Sequence, residues 1–355
     1  MRALVVGATG FVGRALVGAL AAVGDEVTAS SRSSPAWLRG DGVWRHCDLT
    51  RPETIGPALA GHDVAYYLVH SMGKGERDYA ATDRASAQAF VRAAAASTCR
   101  RIVYLGGVAP RDRPSPHLAS RLEVGEILRG GVVPAIELRA SMIVGNGSAS
   151  WQIIRDLTAR LPFMVFPRWL ESKSCPIALT DVIAALLDAR HVTLARNTWC
   201  DIPGPDVLSV REMIEIVAAL EGRRIPGFRV PVLTPRLSAM WLKLISGADY
   251  ALARESCSVS PRICCRSGAS RTSPVVRLGA GFETRRRRRW RANRRCRHRS
   301  RGSSSARSGS ARGAVVAVGE VLEAREPALE VGLDGADRAV AVLAEDDLGD
   351  VRRLR

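Results

Sequence analysis

The chain has 355 residues, enough for one large domain or two ordinary ones at roughly 100–200 residues each. Hydrophobic residues make up 46% and charged residues 25%, a globular composition that excludes a wholly disordered or collagen-like chain. The formal net charge of +17 would suit a nucleic-acid-binding protein, but this charge is unevenly distributed. Residues 1–255 carry 30 Lys and Arg against 24 Asp and Glu, whereas residues 256–355 carry 22 Arg against 11 acidic residues.

The eight cysteines show neither a CxxC pair nor a regular spacing. They therefore predict no zinc site and no disulfide framework, and a reduced, cytoplasmic compartment is expected. An apolar strand begins directly after Met1 and Arg2, which leaves no room for a signal peptide. Since no run reaches ~18 uninterrupted apolar residues, a soluble protein without a membrane-spanning helix is expected.

Short apolar runs alternate with amphipathic stretches over the first 145 residues. The periodicity predicts helices over residues 14–23 and 79–96, and the apolar runs predict strands over residues 3–6, 26–30, 43–47, 64–69, 101–105 and 135–138. Strands that alternate with helices predict right-handed βαβ units. The predicted fold is therefore α/β, with a Rossmann-type, doubly wound parallel sheet.

After Gly145 the sequence pattern changes twice. Residues 146–255 combine predicted helices over 150–161, 181–189 and 210–220 with loops rich in Pro and Gly, so a small lid lobe over the carboxyl ends of the strands is expected. Residues 256–355 form a low-complexity, Arg-rich tail without Lys. That tail is expected to be disordered or to come from a frameshifted reading frame. As an alternative, its run of Arg residues binds nucleic acid non-specifically and in a salt-dependent way.

A glycine motif, Gly7-x-x-Gly10-x-x-Gly13, lies between the first predicted strand and the first predicted helix. In that context the glycines permit a tight turn, a close approach of the backbone to a pyrophosphate, and close packing of helix on strand. The helix N-terminus supplies N–H donors to the anion. Residues 1–145 are therefore predicted to be an NAD(P)-binding domain, and the residues assigned to the cofactor here are Gly7, Thr9, Gly10, Phe11, Val12 and Gly13.

The end of the second predicted strand indicates which dinucleotide binds. It carries Ser31 and Arg32 and no carboxylate, which favours the 2′-phosphate of NADP over the free hydroxyl of NAD. In the alternative interpretation Arg32 is a solvated surface charge. Asp48 and Leu49 follow the third strand and are expected to border the adenine, with Asp48 accepting from its amino group. Asp48 is equally well placed to cap the next helix.

These motifs resemble the short-chain dehydrogenase/reductase superfamily, specifically its atypical NmrA-like and epimerase/dehydratase-like branch. The resemblance covers residues 1–255 and implies an NAD(P)-binding protein that acts on a small-molecule substrate. The segments that carry it are residues 7–13, 48–49, 66–72, 101–107, 115–121, 176–182 and 201–206.

The same resemblance locates the expected catalytic residues. Enzymes of the superfamily use a Tyr-x-x-x-Lys pair and a Ser at the end of the fifth strand, whereas this chain has His117-x-x-x-Arg121 and Gly106-Gly107 in those positions. His117 is the candidate for moving a proton, and Arg121 is the candidate for a fixed positive charge. In the alternative they are a loop histidine and a surface or salt-bridged arginine. Val69 and His70 are expected to border the nicotinamide, although a lone histidine is often structural.

Two functions remain open from the sequence. One is an NADP-dependent oxidoreductase or epimerase/dehydratase-like enzyme of unknown substrate that lacks the Tyr-x-x-x-Lys pair. The other is a non-catalytic, NADP(H)-binding redox sensor of the NmrA-like kind. Cofactor affinity without turnover favours the sensor.

Overall fold

The computed structural model describes residues 1–34, 43–71, 79–110, 114–161, 163–194 and 196–230. The predicted Arg-rich tail and the last part of the predicted lid lobe lie outside these residues. The helices are α1 (Phe11–Ala22), α2 (Ile55–Leu59), α3 (Tyr79–Ala95), α4 (Pro116–Arg129), α5 (Ala149–Arg160), α6 (Leu179–Ala189) and α7 (Val210–Leu220). The strands are β1 (Arg2–Val6), β2 (Glu26–Ser31), β3 (Val43–His46), β4 (Val64–Tyr67), β5 (Arg101–Gly107), β6 (Ala135–Ala140), β7 (Ile143–Val144), β8 (Met164–Pro167), β9 (Lys173–Ser174), β10 (Ile177–Ala178), β11 (Thr198–Asp201), β12 (Leu208–Ser209) and β13 (Gly227–Val230).

Seven strands form one parallel sheet in the order β11-β6-β5-β4-β1-β2-β3. Val5 of β1 pairs with Ala29 of β2 on one side and with Tyr66 of β4 on the other. The strand order therefore reverses beside β1, and ligands of doubly wound sheets bind at such a switch point, outside the carboxyl ends of the strands. The predicted Rossmann-type α/β fold is confirmed.

Helices cover both faces of the sheet, which explains why its strands are continuous apolar runs. On β1, Ala3 and Val5 face an apolar cluster that includes residues of α1 and α6. Leu4 and Val6 face the opposite cluster, which includes residues of α2, α3 and α4. Alternate residues of one strand thus belong to two separate cores.

The second lobe has an apolar core of its own. Helices α5 and α7 pack against each other around buried residues such as Leu157 and Ile214. Ser209 and Glu212 form a capping box at the start of α7, in which each side chain accepts from the backbone N–H of the other. No helix in the described part of the chain is long and apolar enough to cross a bilayer.

One strand of the main sheet, β11, is absent from the sequence prediction. Four residues are too few to show a hydrophobic periodicity. Its partner strand β6 is also distant in sequence, because α5 and α6 lie between the two strands. Cys200 nevertheless pairs with Leu138 and is fully buried. The predicted strands at residues 101–105 and 135–138 each continue for two residues more, to Gly107 and Ala140.

Candidate functional site

The turn between β1 and α1 is made of backbone contacts. The N–H groups of Gly7 and Ala8 both donate to the carbonyl oxygen of Ser30 at the end of β2, at 3.0 and 3.1 Å, and Gly10 N donates to Gly7 O at 3.0 Å. No side chain among the described residues caps α1, which begins at Phe11. The first N–H groups of α1 have no intrahelical partner and are therefore suited to bind an anion.

Two glycines of this turn are required by its geometry. Gly7 has φ +89°, in the left-handed region, and a Cβ atom there would lie 2.9 Å from both Leu68 O and Val69 Cγ2. A Cβ atom at Gly13 would overlap the backbone of Gly7 and lie 2.9 Å from Ala8 Cα. The turn therefore presents bare backbone at the switch point, and this arrangement fits a dinucleotide pyrophosphate.

The remaining residues predicted in this loop have different surroundings. Thr9 is exposed at the tip of the turn, and Val12 packs against the main core. Phe11 extends towards the loop between β7 and α5, because a Cβ atom at Gly145 or Gly147 would lie 3.2 Å from its ring. The first loop of the second lobe thus contacts the turn predicted to hold the cofactor.

At the end of β2, Ser31 and Arg32 differ in how they are engaged. The Ser31 hydroxyl donates to Ser33 O at 2.5 Å and accepts from Trp44 Nε1 at 3.1 Å, so it stabilises the turn that follows β2. Arg32 is exposed. Desolvation raises the pKa of Asp48, but the hydrogen bonds from Thr50 and, to a smaller extent, the charge of Arg32 lower that pKa overall. The guanidinium is therefore near the carboxyl ends of β2 and β3, where the adenosine end of a dinucleotide is expected.

Asp48 forms a local turn with Thr50 and does not cap the next helix, since neither the short 3-10 helix Pro52–Thr54 nor α2 has a side-chain cap among the described residues. Its Oδ1 accepts from the backbone N–H and the hydroxyl of Thr50, at 3.0 and 2.7 Å. Its own N–H donates to Thr54 Oγ1 at 2.9 Å, directly before α2. Leu49 is buried in the core beneath this turn. The structure thus assigns Asp48 a local structural role, and its contact with adenine remains a prediction.

The two candidate histidines lie together where β4 and β5 end. The rings of His70 and His117 are 5.5 Å apart and edge-to-face at 61°, and Tyr79 at the start of α3 lies 6.2 Å from His117. His117 is on the first turn of α4 and is half-buried, not on a loop. The residues that the sequence placed near the nicotinamide and at the catalytic position are therefore neighbours.

Arg121 lies one helical turn after His117 and faces the end of β5. Its Nη2 donates to Leu105 O at 3.1 Å, and its own carbonyl oxygen accepts from the Tyr104 hydroxyl at 3.0 Å. Within the described part of the chain, nothing accepts a hydrogen bond from its buried Nε. The guanidinium is thus oriented by the carboxyl end of β5.

The surroundings of both imidazoles favour the neutral form. Burial and the Arg121 guanidinium lower the pKa of His117 to about 4, although the Asp83 carboxylate acts in the opposite direction. Partial desolvation, Arg121 and His117 also lower the pKa of His70. An ordinary histidine would titrate near 6.5, so His117 is a weaker base than its residue type suggests. A neutral imidazole still donates one hydrogen bond and accepts another.

Sequence analysis missed Asp83, a buried carboxylate on α3 beside these histidines. Its Oδ1 accepts from Ser71 N at 2.7 Å, and its Oδ2 accepts from the Ser120 hydroxyl at 3.0 Å. Asp83 is 3% exposed and shares one face of α3 with Ala87 and Phe90, which are both buried. An acidic residue in the apolar stripe of a helix is the signal that could have identified it.

A buried ionic cluster lies against Gly106, the first of the two glycines at the position where the sequence comparison expected a serine. Glu137 of β6 is fully buried and pairs with Arg129 and Arg139 at 3.0 Å each. A side chain at Gly106 would overlap the Glu137 carboxylate, and one at Gly107 would lie 2.6 Å from Leu118 Cδ1. A serine at Gly106 would therefore displace the buried Glu137 carboxylate, whereas one at Gly107 would require the end of the Leu118 side chain to move.

The comparisons with known proteins agree with this geometry. The family model described as NAD(P)H-binding matches residues 7–156. A comparison with curated protein sequences gives no significant match.

Three solved structures illustrate the similarity of fold. MoeE5 in complex with UDP-glucuronic acid and NAD is 20% identical with a TM-score of 0.55, over 74% of this chain and 98% of that chain. UDP-N-acetylglucosamine 4-epimerase from Bacillus cereus is 16% identical with a TM-score of 0.54, over 72% and 98%. The Citrobacter sp. triphenylmethane reductase complexed with NADP(H) is 15% identical with a TM-score of 0.57, over 73% and 88%. Residues 7–156 therefore match an NAD(P)H-binding family model, and the chain shares the fold of these solved structures, as expected from the Rossmann-type sheet and the glycine turn.

Proposed function

We propose that this chain is an NADP(H)-dependent oxidoreductase in which His117 and Arg121 replace the family's Tyr–Lys pair. The observation that carries the proposal is the position of this pair, one turn apart on α4, beside His70 at the carboxyl ends of β4 and β5. That edge of the sheet is also the edge of the glycine turn, so a coenzyme in the turn extends towards the pair. The substrate is an unidentified small carbonyl or hydroxyl compound.

A coenzyme held by the glycine turn would supply a hydride to the substrate carbon or accept one from it, and the accompanying proton at the substrate oxygen would be exchanged with solvent through the His117 imidazole. Neutral His117 donates a hydrogen bond to the substrate oxygen and polarises the carbonyl, as neutral imidazoles do in other enzymes. Arg121 stabilises the negative charge that develops on that oxygen, because its guanidinium is held by Leu105 O. Arg121 cannot act as the base, since guanidinium does not deprotonate in proteins.

The preference for NADP(H) over NAD(H) is the second part of the proposal. It rests on Arg32, whose exposed guanidinium lies near the end of β2 with no acidic residue directly beside it in sequence. A 2′-phosphate placed there would accept charge-assisted hydrogen bonds. The Asp48 carboxylate, whose pKa the Arg32 charge helps to lower, accepts hydrogen bonds from Thr50.

Thermal unfolding of the full chain with each of the four nicotinamide coenzymes tests the binding part. A ligand that binds only the folded state stabilises it by about 2.7 kcal/mol at a hundredfold excess over its dissociation constant. NADP and NADPH should raise Tm more than NAD and NADH at equal concentration. Equal shifts for all four would contradict the NADP preference, and no shift at millimolar dose would contradict coenzyme binding altogether.

Consumption of NADPH across a panel of carbonyl compounds tests the catalytic part. His117→Ala should abolish turnover while it leaves coenzyme binding intact. His191→Ala is the matched control, because His191 is exposed at the end of α6 and has no place in the proposal. Loss of turnover in both variants, or in neither, would contradict the assignment of His117.

The alternative function is a non-catalytic NADP(H) sensor. It is favoured by the closed end of β5, where Glu137 and Leu118 fill the space that a catalytic serine needs. Coenzyme binding without turnover of any panel compound would establish this alternative.

A further inference from the structure

Asp83 connects two segments of the chain that carry the candidate catalytic residues. Ser71, which donates to Asp83 Oδ1, follows His70 directly, and Ser120, which donates to Oδ2, lies between His117 and Arg121 on α4. Burial of a carboxylate is unfavourable unless hydrogen bonds compensate for the lost water. Both contacts are therefore strongly favoured over separation of the loop from the helix.

We infer that Asp83 is a positioning residue that holds the loop bearing His70 against the helix bearing His117 and Arg121. The inference rests on the proposed function, since it assigns Asp83 a part in arranging the proposed catalytic pair. Asp83 acts through Ser71 and Ser120 and is not itself assigned any contact with substrate or coenzyme. A shift of about 1 Å in such a group is enough to impair a reaction severely.

The charge and the hydrogen bonds of Asp83 have separable consequences for His117. Among the described residues, the groups that face this imidazole are Arg121 from its own helix, His70 from the loop after β4, and Tyr79 and Asp83 from α3. The Asp83 carboxylate favours the imidazolium, whereas desolvation and Arg121 disfavour it. Loss of the charge alone must therefore lower the pKa of His117 further. Loss of the packing admits water and must raise that pKa towards its ordinary value.

Nuclear magnetic resonance of the full chain with isotope-labelled histidine makes this distinction. The pKa of each imidazole is followed by titration, and the nuclear Overhauser effect between His70 and His117 reports on their proximity. Asp83→Asn keeps the shape and an acceptor for Ser71 N, so we expect the ring contact to persist and the pKa of His117 to fall. Asp83→Ala removes both hydrogen bonds as well as the charge, so we expect the ring contact to be lost and the pKa values of both histidines to lie above those in Asp83→Asn, which lacks the same charge.

Glu123→Gln is the matched control. Glu123 also bridges α3 and α4, through Arg84 at 2.5 and 3.1 Å, but this ion pair is partly exposed and faces neither histidine. The pKa values of His70 and His117 and the contact between their rings should be unchanged in this variant. If Glu123→Gln altered them as Asp83→Ala does, the effect would be one of general helix packing and the inference would fail.

Unchanged pKa values and an unchanged ring contact in Asp83→Ala would overturn the inference. If Asp83→Ala does not fold, the same measurements are made on Ser120→Ala, which removes only the hydrogen bond between Asp83 and α4. Loss of the ring contact in Ser120→Ala supports the inference, and its retention overturns it. None of these measurements needs turnover or bound coenzyme. Failure of the proposed reaction would therefore be seen in the NADPH assay alone, and failure of the positioning role in the spectra alone.

Discussion

Two glycines of α1 should respond in opposite ways to the same substitution. A Cβ atom at Gly18 would meet no atom within 4 Å, so Gly18→Ala gains helix propensity and stabilises by about 0.5–1 kcal/mol. A Cβ atom at Gly13 would overlap the carbonyl of Gly7 and lie 2.9 Å from Ala8 Cα. Because both neighbours are backbone atoms, α1 must move away from the turn, and overpacking of this kind destabilises by about 1–3 kcal/mol.

Urea unfolding of the full chain, followed by circular dichroism, measures both changes. The free energy of unfolding should differ between Gly18→Ala and Gly13→Ala by about 1.5–4 kcal/mol, from the two contributions together. Displacement of the turn also removes N–H groups from the pyrophosphate, so Gly13→Ala should bind NADP at least about tenfold more weakly. Equal stability of the two variants, or wild-type affinity in Gly13→Ala, would refute this account of the turn.

Three further predictions follow from particular side chains. Arg32→Ala should weaken NADP(H) binding about 10- to 100-fold, which corresponds to the loss of a charge-assisted hydrogen bond. Binding of NAD(H), measured by calorimetry, should be unchanged. An equal loss of affinity for both coenzymes would contradict a contact between Arg32 and the 2′-phosphate. Glu137→Gln should lower the free energy of unfolding by about 3–5 kcal/mol, because two guanidinium groups lose a buried partner. Glu215→Gln, which removes a partly exposed i,i+4 pair with Arg211, should lower it by less than about 1 kcal/mol. Similar losses of stability for the two variants in urea unfolding would contradict a stabilising role of the buried cluster. Since the folded-state pKa of His117 is about 4 and an unfolded histidine has a pKa near 6.5, stability is lost as pH falls from 6.5 to 4. His117→Gln should show a shallower loss in that window, and identical pH profiles would reject the lowered pKa.

The cofactor half of the molecule was predictable because its signals are local in sequence. The strand β1, the glycine turn and α1 follow one another within 22 residues, so apolar periodicity and glycine spacing suffice to place them. Alternation of further strands and helices then predicts the sheet. The strand β11 was not predicted, because its four residues pair with β6 across more than fifty intervening residues. No local sequence pattern indicates a partner at that distance.

The side chains that arrange the candidate site were not predictable in the same way. Asp83 meets Ser71 and Ser120, which lie 12 and 37 residues away, and Glu137 meets Gly125 across the packing of α4 on the sheet. Both acids occupy positions where the strand or helix pattern calls for an apolar residue. Sequence can mark such a residue as exceptional, but only the tertiary fold shows which partners compensate for its burial.

The contrast between the two halves has a physical origin. The glycine turn consists of backbone contacts, so it demands glycines and tolerates wide variation elsewhere. The region around His117 and Arg121 consists of side chains, and one buried substitution there changes what its neighbours can be. Glu137 occupies the space beside Gly106 and Gly125, so a serine at Gly106 would displace a buried carboxylate, and α4 packs closely on the sheet. In the proposed enzyme His117 and Arg121 therefore lie in a packing arrangement different from that of a Tyr–Lys–Ser set, and restoring tyrosine and lysine alone would not recreate that set.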